Sequence, residues 1–247
     1  MKIGTTESFI LDSIRENGTL CFPLIDSQNQ TNISSIVNRL EHLGATGILI
    51  GGSSVSDQIE LSSIVSKIKS RIKIPVILFP GNITGIVPGA DAILFSSLLN
   101  SENPYYITGA QAQGALIIKK YNLEAIPTAY LIIGQGSTAW FIGQTRSIPF
   151  DKSGIAVMYG LAAQYMGMRF LYLEAGSGSS AYVYPEMISA VRAHFDGILI
   201  VGGGITDAET ATTIANAGAD ILVVGTLIEK KNDWEEQFSK IINSIRK

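Results

Sequence analysis

Two glycine-bearing turns near the end of the chain have the composition of a phosphate-binding site. Gly203 and Gly204 follow an apolar run and precede a helical pattern, and Gly225 with Thr226 follows the next apolar run. Glycine lets backbone N–H groups approach an anion closely, and a helix N-terminus adds partial positive charge. Such glycines can also serve only to make tight turns. Two turns of this kind in succession favour a phosphate site.

An acidic residue with catalytic potential, Glu174, ends another apolar run. The flexible residues Gly176, Ser177 and Gly178 come directly after it. A carboxylate placed beside a bound phosphorylated substrate can take a proton as a general base. The alternative is an ordinary solvated or ion-paired carboxylate. We favour the base because Glu174 is expected on the same edge of the sheet as the two glycine turns.

A second carboxylate, Asp26, ends the first apolar run, and Ser53 follows a glycine pair after the second. A carboxylate and a hydroxyl at one edge of a sheet suit Mg²⁺, which binds through oxygen ligands and takes the rest from substrate phosphates. A turn or capping role for Asp26 is an equal alternative at this point.

The two histidines and the single cysteine of the chain are not expected to take part in catalysis. His42 and His194 end helical patterns just before strands, which is the stability face of a barrel. Cys21 lies between apolar neighbours and is expected in the core. This pattern disfavours a Ser-His-Asp hydrolase and a His or Cys metal centre.

The elements that position these residues are short apolar runs separated by helical patterns. Repeated units of this kind predict parallel strands. We predict a single (β/α)₈ TIM-type barrel over residues 1–247, a usual length for that fold. A doubly wound sheet is the alternative. Residues 82–89 are too short and glycine-rich for a full helix, so a loop or single turn is expected after strand 3. The capping pattern at 206–209 predicts a helix start. The predicted strands are 20–25, 47–50, 75–79, 92–95, 129–133, 170–173, 197–201 and 221–224.

Composition narrows the class of partners. The formal net charge is −3 and 16% of residues are charged, so no basic surface for nucleic acid is expected. No apolar run reaches the length of a membrane span, and membrane contact is expected to be peripheral at most. A single cysteine cannot form a disulfide within the chain, which is typical of proteins of the reducing cytoplasm. The apolar segment around Trp140, at 138–142, predicts a homo-oligomer interface, unless Trp140 only covers the barrel mouth.

Several motifs together resemble the geranylgeranylglyceryl phosphate synthase family, and the resemblance covers nearly the whole chain. The most specific motif is Tyr-Leu-Glu-Ala-Gly-Ser-Gly at 172–178. The others are Val-Gly-Gly-Gly-Ile at 201–205, Ala-Gly-Ala-Asp at 217–220, Val-Gly-Thr at 224–226, Leu-Ile-Asp at 24–26, Gly-Gly-Ser at 51–53 and Asn-Ser-Glu-Asn-Pro-Tyr-Tyr-Ile-Thr-Gly-Ala-Gln at 100–111.

The resemblance implies a Mg²⁺-dependent prenyltransferase. It would join sn-glycerol 1-phosphate to geranylgeranyl diphosphate, the first ether bond of archaeal membrane lipids, in a dimer or hexamer. Asp26 and Ser53 would bind Mg²⁺, and Glu174 would be the general base. The aromatic stretch at 104–106 would form a wall of the prenyl groove, although ordinary packing explains it equally well. The residues implied in substrate binding are Tyr172, Leu173, Glu174, Ala175, Gly176, Ser177, Gly178, Gly203, Gly204, Gly225 and Thr226.

Two departures from the family pattern make the phosphate sites less cationic. Ser-Gln-Asn follows Asp26 where Pro-Asp-Lys is common, and Thr206 stands where a basic residue often follows the glycine run. Three alternatives stay open: a longer heptaprenyl donor, as in bacterial relatives, a phosphosugar-type barrel enzyme, or a non-catalytic phosphate-binding barrel.

Overall fold

The chain folds into a closed barrel of eight parallel strands in sequential order, with β8 paired to β1. The computed structural model describes residues 2–26, 33–52, 57–230 and 232–247. The prediction of a (β/α)₈ barrel is confirmed, and closure excludes the doubly wound sheet. The strands are β1 (Leu20–Asp26), β2 (Ile48–Gly52), β3 (Val76–Pro80), β4 (Ala92–Leu98), β5 (Glu124–Ile132), β6 (Phe170–Glu174), β7 (Ile198–Gly202) and β8 (Ile221–Val224).

Helices surround the barrel, with one exception after β3. There a single 3₁₀ turn, Ile83–Gly85, replaces a helix, as the sequence predicted for 82–89. A π-helical turn, Tyr105–Gly109, leads into α4. The α-helices are α1 (Thr5–Asn17), α2 (Ile33–His42), α3 (Gln58–Lys69), α4 (Ala110–Lys120), α5 (Thr138–Ile142), α6 (Ser153–Tyr165), α7 (Pro185–Arg192), α8 (Ala208–Asn216), α9 (Thr226–Lys230) and α10 (Trp234–Ile245).

The predicted strand β5 was too short. The strand begins at Glu124, well before the predicted start at 129. Its first half contains Glu124 and Pro127, and both residue types are depleted in strands. Parallel pairing with the whole length of β4, from Ala92–Glu124 to Leu98–Tyr130, overrides those local preferences here.

Helix α1 closes the amino end of the barrel, a feature that the sequence did not indicate. Its Ile10 packs in the same cluster as the barrel interior. The Glu124 carboxylate accepts hydrogen bonds from the Thr6 and Glu7 backbone N–H groups, at 2.7 and 2.8 Å. The buried Glu7 carboxylate pairs with Arg169, just before β6. The barrel is therefore sealed at this end, and its opening is at the carboxyl ends of the strands.

Along each strand, successive side chains point in turn toward the barrel interior and toward the surrounding helices. In β6, Phe170 and Tyr172 belong to the interior cluster, whereas Leu171 and Leu173 belong to the outer core beneath the helices. This alternation places Glu174 on the inward side, at the open end. Among the described residues, no helix has the length and apolar character needed to cross a membrane.

Candidate active site

A cavity of about 570 Å³ opens at the carboxyl ends of the strands and has two chemically distinct parts. The polar part lies at the barrel mouth, and the apolar part extends as an arm between β3–β4 and the elements packed outside them. The polar part is lined by Asp26, Glu174, Ser177, Gly178, Gly203, Gly204, Thr206, Gly225 and Thr226. The arm is lined by Ile83, Ile86, Ile93, Phe95, Leu98, Tyr106, Gly114, Ile118 and Ile142.

The two predicted glycine turns lie side by side in the polar part. Gly203 and Gly204 have φ angles of +87° and +72°, which side chains rarely adopt. A Cβ at Gly204 would lie 2.5 Å from the Ala181 carbonyl oxygen, so this position needs glycine for the fold itself. At Gly225 the nearest atom to such a Cβ is 3.5 Å away, which is ordinary contact. The glycine at 225 is therefore not required by packing.

The β6 and β8 loops are joined across the mouth by Thr226. Its hydroxyl oxygen accepts the Gly178 N–H at 3.0 Å and lies 3.3 Å from the Ser177 hydroxyl. Helix α8 begins nearby, but the capping residue differs from the prediction. Asp207 is the N-cap and accepts the Thr210 N–H at 2.9 Å, whereas Thr206 donates to the Asp207 carboxylate. The predicted capping box was therefore one residue too early.

Glu174 is a buried carboxylate, 7% exposed, on the wall of the polar part. It accepts the Gly176 backbone N–H at 2.6 Å. Burial raises the pKa of Glu174, and the neighbouring Tyr172 hydroxyl and the Gly176 N–H oppose that shift. A carboxylate with a raised pKa is a stronger proton acceptor than an exposed one.

The Tyr172 hydroxyl is buried beside that carboxylate. A Cβ added at Gly202 would lie 2.4 Å from Tyr172 Oη and 2.9 Å from Glu174 Oε2, so both groups border this glycine. The Tyr172 hydroxyl makes no hydrogen bond of normal geometry within the described part of the chain. Burial, and secondly the Glu174 charge, raise the pKa of Tyr172. This neutral hydroxyl at the cavity wall is suited to meet a polar group of a ligand.

The remaining predicted site residues divide between the cavity and the core. Asp26 lies at the end of β1, opposite Gly51 of β2, and lines the cavity. Ser53 lies outside the described residues. Leu173 and Ala175, both implied in substrate binding, have side chains that pack in the outer core and do not line the cavity. The physical reason is strand alternation, which turns every second side chain away from the interior.

The sequence reasoning missed two aromatic residues of the mouth, Phe79 and Tyr130, and most of the arm. An available signal was the position of Phe79, near the carboxyl end of a predicted strand. Of the predicted aromatic wall at 104–106, Tyr106 lines the arm. Both histidines lie at the amino side as expected, each with Nδ1 close to a carbonyl of its own helix region.

Comparison with known proteins agrees with this architecture. Residues 14–245 match the PcrB family. Geranylgeranylglyceryl phosphate synthase of Nitrosopumilus maritimus is 57% identical over 96% of both chains, and that of Cenarchaeum symbiosum is 55% identical over 98% of this chain and 99% of its own.

A solved structure of a synthase has the same fold as this chain. (S)-3-O-geranylgeranylglyceryl phosphate synthase of Thermoplasma acidophilum, in complex with its substrate sn-glycerol-1-phosphate, superposes with a TM-score of 0.93 at 37% identity over 99% of both chains. The family match spans residues 14–245, and the two archaeal synthases are 57% and 55% identical to this chain along nearly its whole length. The chain therefore belongs to the PcrB family, together with the geranylgeranylglyceryl phosphate synthases that it matches.

Proposed function

We propose that this protein transfers the geranylgeranyl group of geranylgeranyl diphosphate to the O3 hydroxyl of sn-glycerol 1-phosphate. The observation that carries the proposal is a single cavity in which a polar mouth, with a buried carboxylate and glycine turns, continues into an apolar arm. A phosphorylated acceptor and a prenyl donor would meet where the two parts join. The names of the relatives and the sn-glycerol-1-phosphate of the T. acidophilum structure support this assignment.

The acceptor phosphate would bind at the glycine turns. Gly203 and Gly204 bring backbone close to the cavity, and Thr226 fixes the β6 loop beside the β8 loop. The described wall of the mouth has no lysine or arginine, so backbone N–H groups and hydroxyls must carry most of the recognition. Ser177 and Tyr172 line the same cavity and would contact the glycerol part.

Glu174 would act as the general base. The acceptor O3 lone pair forms a bond to C1 of the prenyl group, and the C1–O bond electrons leave with diphosphate. The O3 proton passes to the Glu174 carboxylate. Because burial raises the pKa of Glu174, its proton affinity is closer to that needed near neutral pH.

Mg²⁺ is compatible with the donor set of the mouth. No group of three or more His, Cys, Asp or Glu side chains capable of holding a metal occurs within residues 2–26, 33–52, 57–230 and 232–247. Mg²⁺ does not need such a cage, since one or two carboxylates plus substrate phosphates usually hold it. Asp26, on the cavity wall, would be the carboxylate ligand, with Ser53 as the predicted hydroxyl ligand. Bound Mg²⁺ would neutralise charge on the diphosphate leaving group.

The apolar arm would hold the prenyl tail and exclude water. Water in the mouth would compete with O3 for a reactive allylic carbon. Ile86 and Ile118 line the arm, and Gly114 leaves space that a side chain would fill, since a Cβ there would lie 2.6 Å from Ile86 Cδ1.

We also propose that the chain forms a homo-oligomer through helix α5 and its surroundings. Phe141 is 74% exposed, whereas Trp140 is half-buried, so Phe141 is a better contact residue than the predicted Trp140. Exposed aromatic residues of this kind are enriched at protein interfaces. Ile155 and Met158 of helix α6 are also exposed apolar residues.

The decisive experiment is turnover of labelled sn-glycerol 1-phosphate with prenyl diphosphates of different lengths. We expect the highest kcat/KM with geranylgeranyl diphosphate and a strong preference over sn-glycerol 3-phosphate. Preference for a heptaprenyl donor would replace the geranylgeranyl assignment. The absence of ether product with every donor would refute the prenyltransferase.

A further inference from the structure

Three aromatic rings form the floor of the cavity beside Glu174. Phe79 of β3 contacts Tyr130 of β5 edge-on, with ring centroids 5.3 Å apart. Phe79 stacks on Tyr172 of β6 at 5.4 Å, and the two tyrosine rings lie 5.1 Å apart. All three residues line the cavity. Lower in the barrel, the rings of Phe22 and Phe170 are fully buried and do not reach it.

The barrel register brings these rings together. Tyr130 and Tyr172 are directly paired across β5 and β6. Phe79 reaches them from β3, where Gly51 on the adjacent strand allows a close backbone approach. A Cβ at Gly51 would lie only 1.9 Å from the Phe79 carbonyl oxygen. Phe79 therefore lies on the cavity wall, with its ring against both tyrosine rings.

Electron-rich aromatic rings on a cavity wall can stabilise positive charge that develops on a bound substrate. When the C1–O bond to diphosphate breaks, positive charge develops on the allylic C1 before O3 completes its bond. A cation within about 6 Å of an aromatic centroid is stabilised by the ring quadrupole, most strongly in a desolvated site. The rings form and break no bond, and the proton still passes from O3 to Glu174.

We propose that the Phe79, Tyr130 and Tyr172 rings stabilise the positive charge at C1 in the transition state of prenyl transfer. The proposal rests on the proposed function, because it requires an allylic diphosphate as donor. Phe79 is the most informative member, since it has no polar group and can act only through its ring. The two tyrosines also present hydroxyls, and removing them would change more than the ring.

The test replaces Phe79 with phenylalanines that carry one, two and three ring fluorines. Fluorination preserves ring shape and progressively weakens the negative face. We expect the single-turnover rate at saturating substrates to fall stepwise, by roughly 10–30-fold over the series, as expected for loss of a desolvated cation–π contact. The affinities for both substrates and the melting temperature should stay the same. Phe79→Leu should lose at least as much rate.

The matched control is the same fluorine series at Phe170, which lies below the cluster on β6 and does not line the cavity. Its rate should not change. A flat rate across the Phe79 series would overturn the proposal, as would a loss confined to donor affinity or an equal loss at Phe170. If the wild-type protein forms no ether product, the proposed function itself fails, whereas a flat series with an active wild type refutes only the role of the rings.

Discussion

Glu174→Gln separates the possible roles of the buried carboxylate most sharply. The glutamine keeps the shape of the side chain, and its carbonyl oxygen can still accept the Gly176 N–H that Glu174 binds at 2.6 Å. What it removes is the proton acceptor and the negative charge beside Tyr172. A positioned base contributes about 10²–10⁴-fold to rate. We therefore expect kcat to fall by roughly that factor, with little change in the binding of either substrate.

Two other outcomes would assign Glu174 a different role. If Glu174 only orients the glycerol hydroxyls, the KM for sn-glycerol 1-phosphate should rise and kcat should fall less. If the leaving diphosphate takes the proton, kcat should hardly change. Single-turnover kinetics at saturating substrates distinguish these cases. A rate within about threefold of wild type, far below the loss expected for a missing base, would refute the base assignment.

The same substitution should change the stability in a pH-dependent way. Because burial raises the folded-state pKa of Glu174, the unfolded chain loses this proton first as the pH rises. Ionisation therefore costs the folded state stability in the window above the usual carboxyl pKa, by about 1.4 kcal/mol per pKa unit of difference. Below that window the glutamic acid is protonated in both states.

Glu174→Gln should consequently match wild type in acid and become the more stable protein toward neutral pH. Urea unfolding at several pH values measures this difference. In wild type, kcat/KM should rise with pH as Glu174 ionises, and the variant should lose that rise. A stability difference that does not depend on pH would contradict the raised pKa.

Three further predictions concern the other parts of the site. Asp26→Asn should lose most activity and keep sn-glycerol 1-phosphate binding by calorimetry; full activity in excess chelator would exclude a Mg²⁺ role. Gly225→Ala should weaken sn-glycerol 1-phosphate binding without lowering the melting temperature, whereas Gly204→Val should lower the melting temperature itself, because that residue has a positive φ and no room for a side chain. Unchanged affinity in Gly225→Ala would place the phosphate elsewhere. Phe141→Ala should reduce the oligomer mass measured by light scattering. The control Leu116→Ala, which changes an exposed residue of α4, should leave the mass unchanged. A monomeric wild type would refute the proposed oligomer.

The order of the strands and the chemistry that follows several of them could be predicted from the sequence, although β4 and β5 are longer than predicted. Apolar runs separated by helical patterns predicted the barrel, and the glycine turns predicted where its mouth lies. These features are local, because a glycine with positive φ or a strand followed by a polar residue needs only a few neighbouring residues to be recognised. The sequence therefore placed Asp26, Glu174 and Gly204 at one rim before any contact was known.

Which side chains face the cavity was decided by the tertiary structure. Strands of a parallel barrel are buried on both sides, so their apolar runs lack the alternation that would separate inward from outward positions. The side chains of Leu173 and Ala175, which the family resemblance implied in substrate binding together with Glu174, pack outside the barrel. The sealing of the amino end by α1 and the meeting of Phe79 with Tyr172 likewise depend on contacts between residues far apart in the chain. Barrel closure fixes those contacts, and no local pattern encodes them.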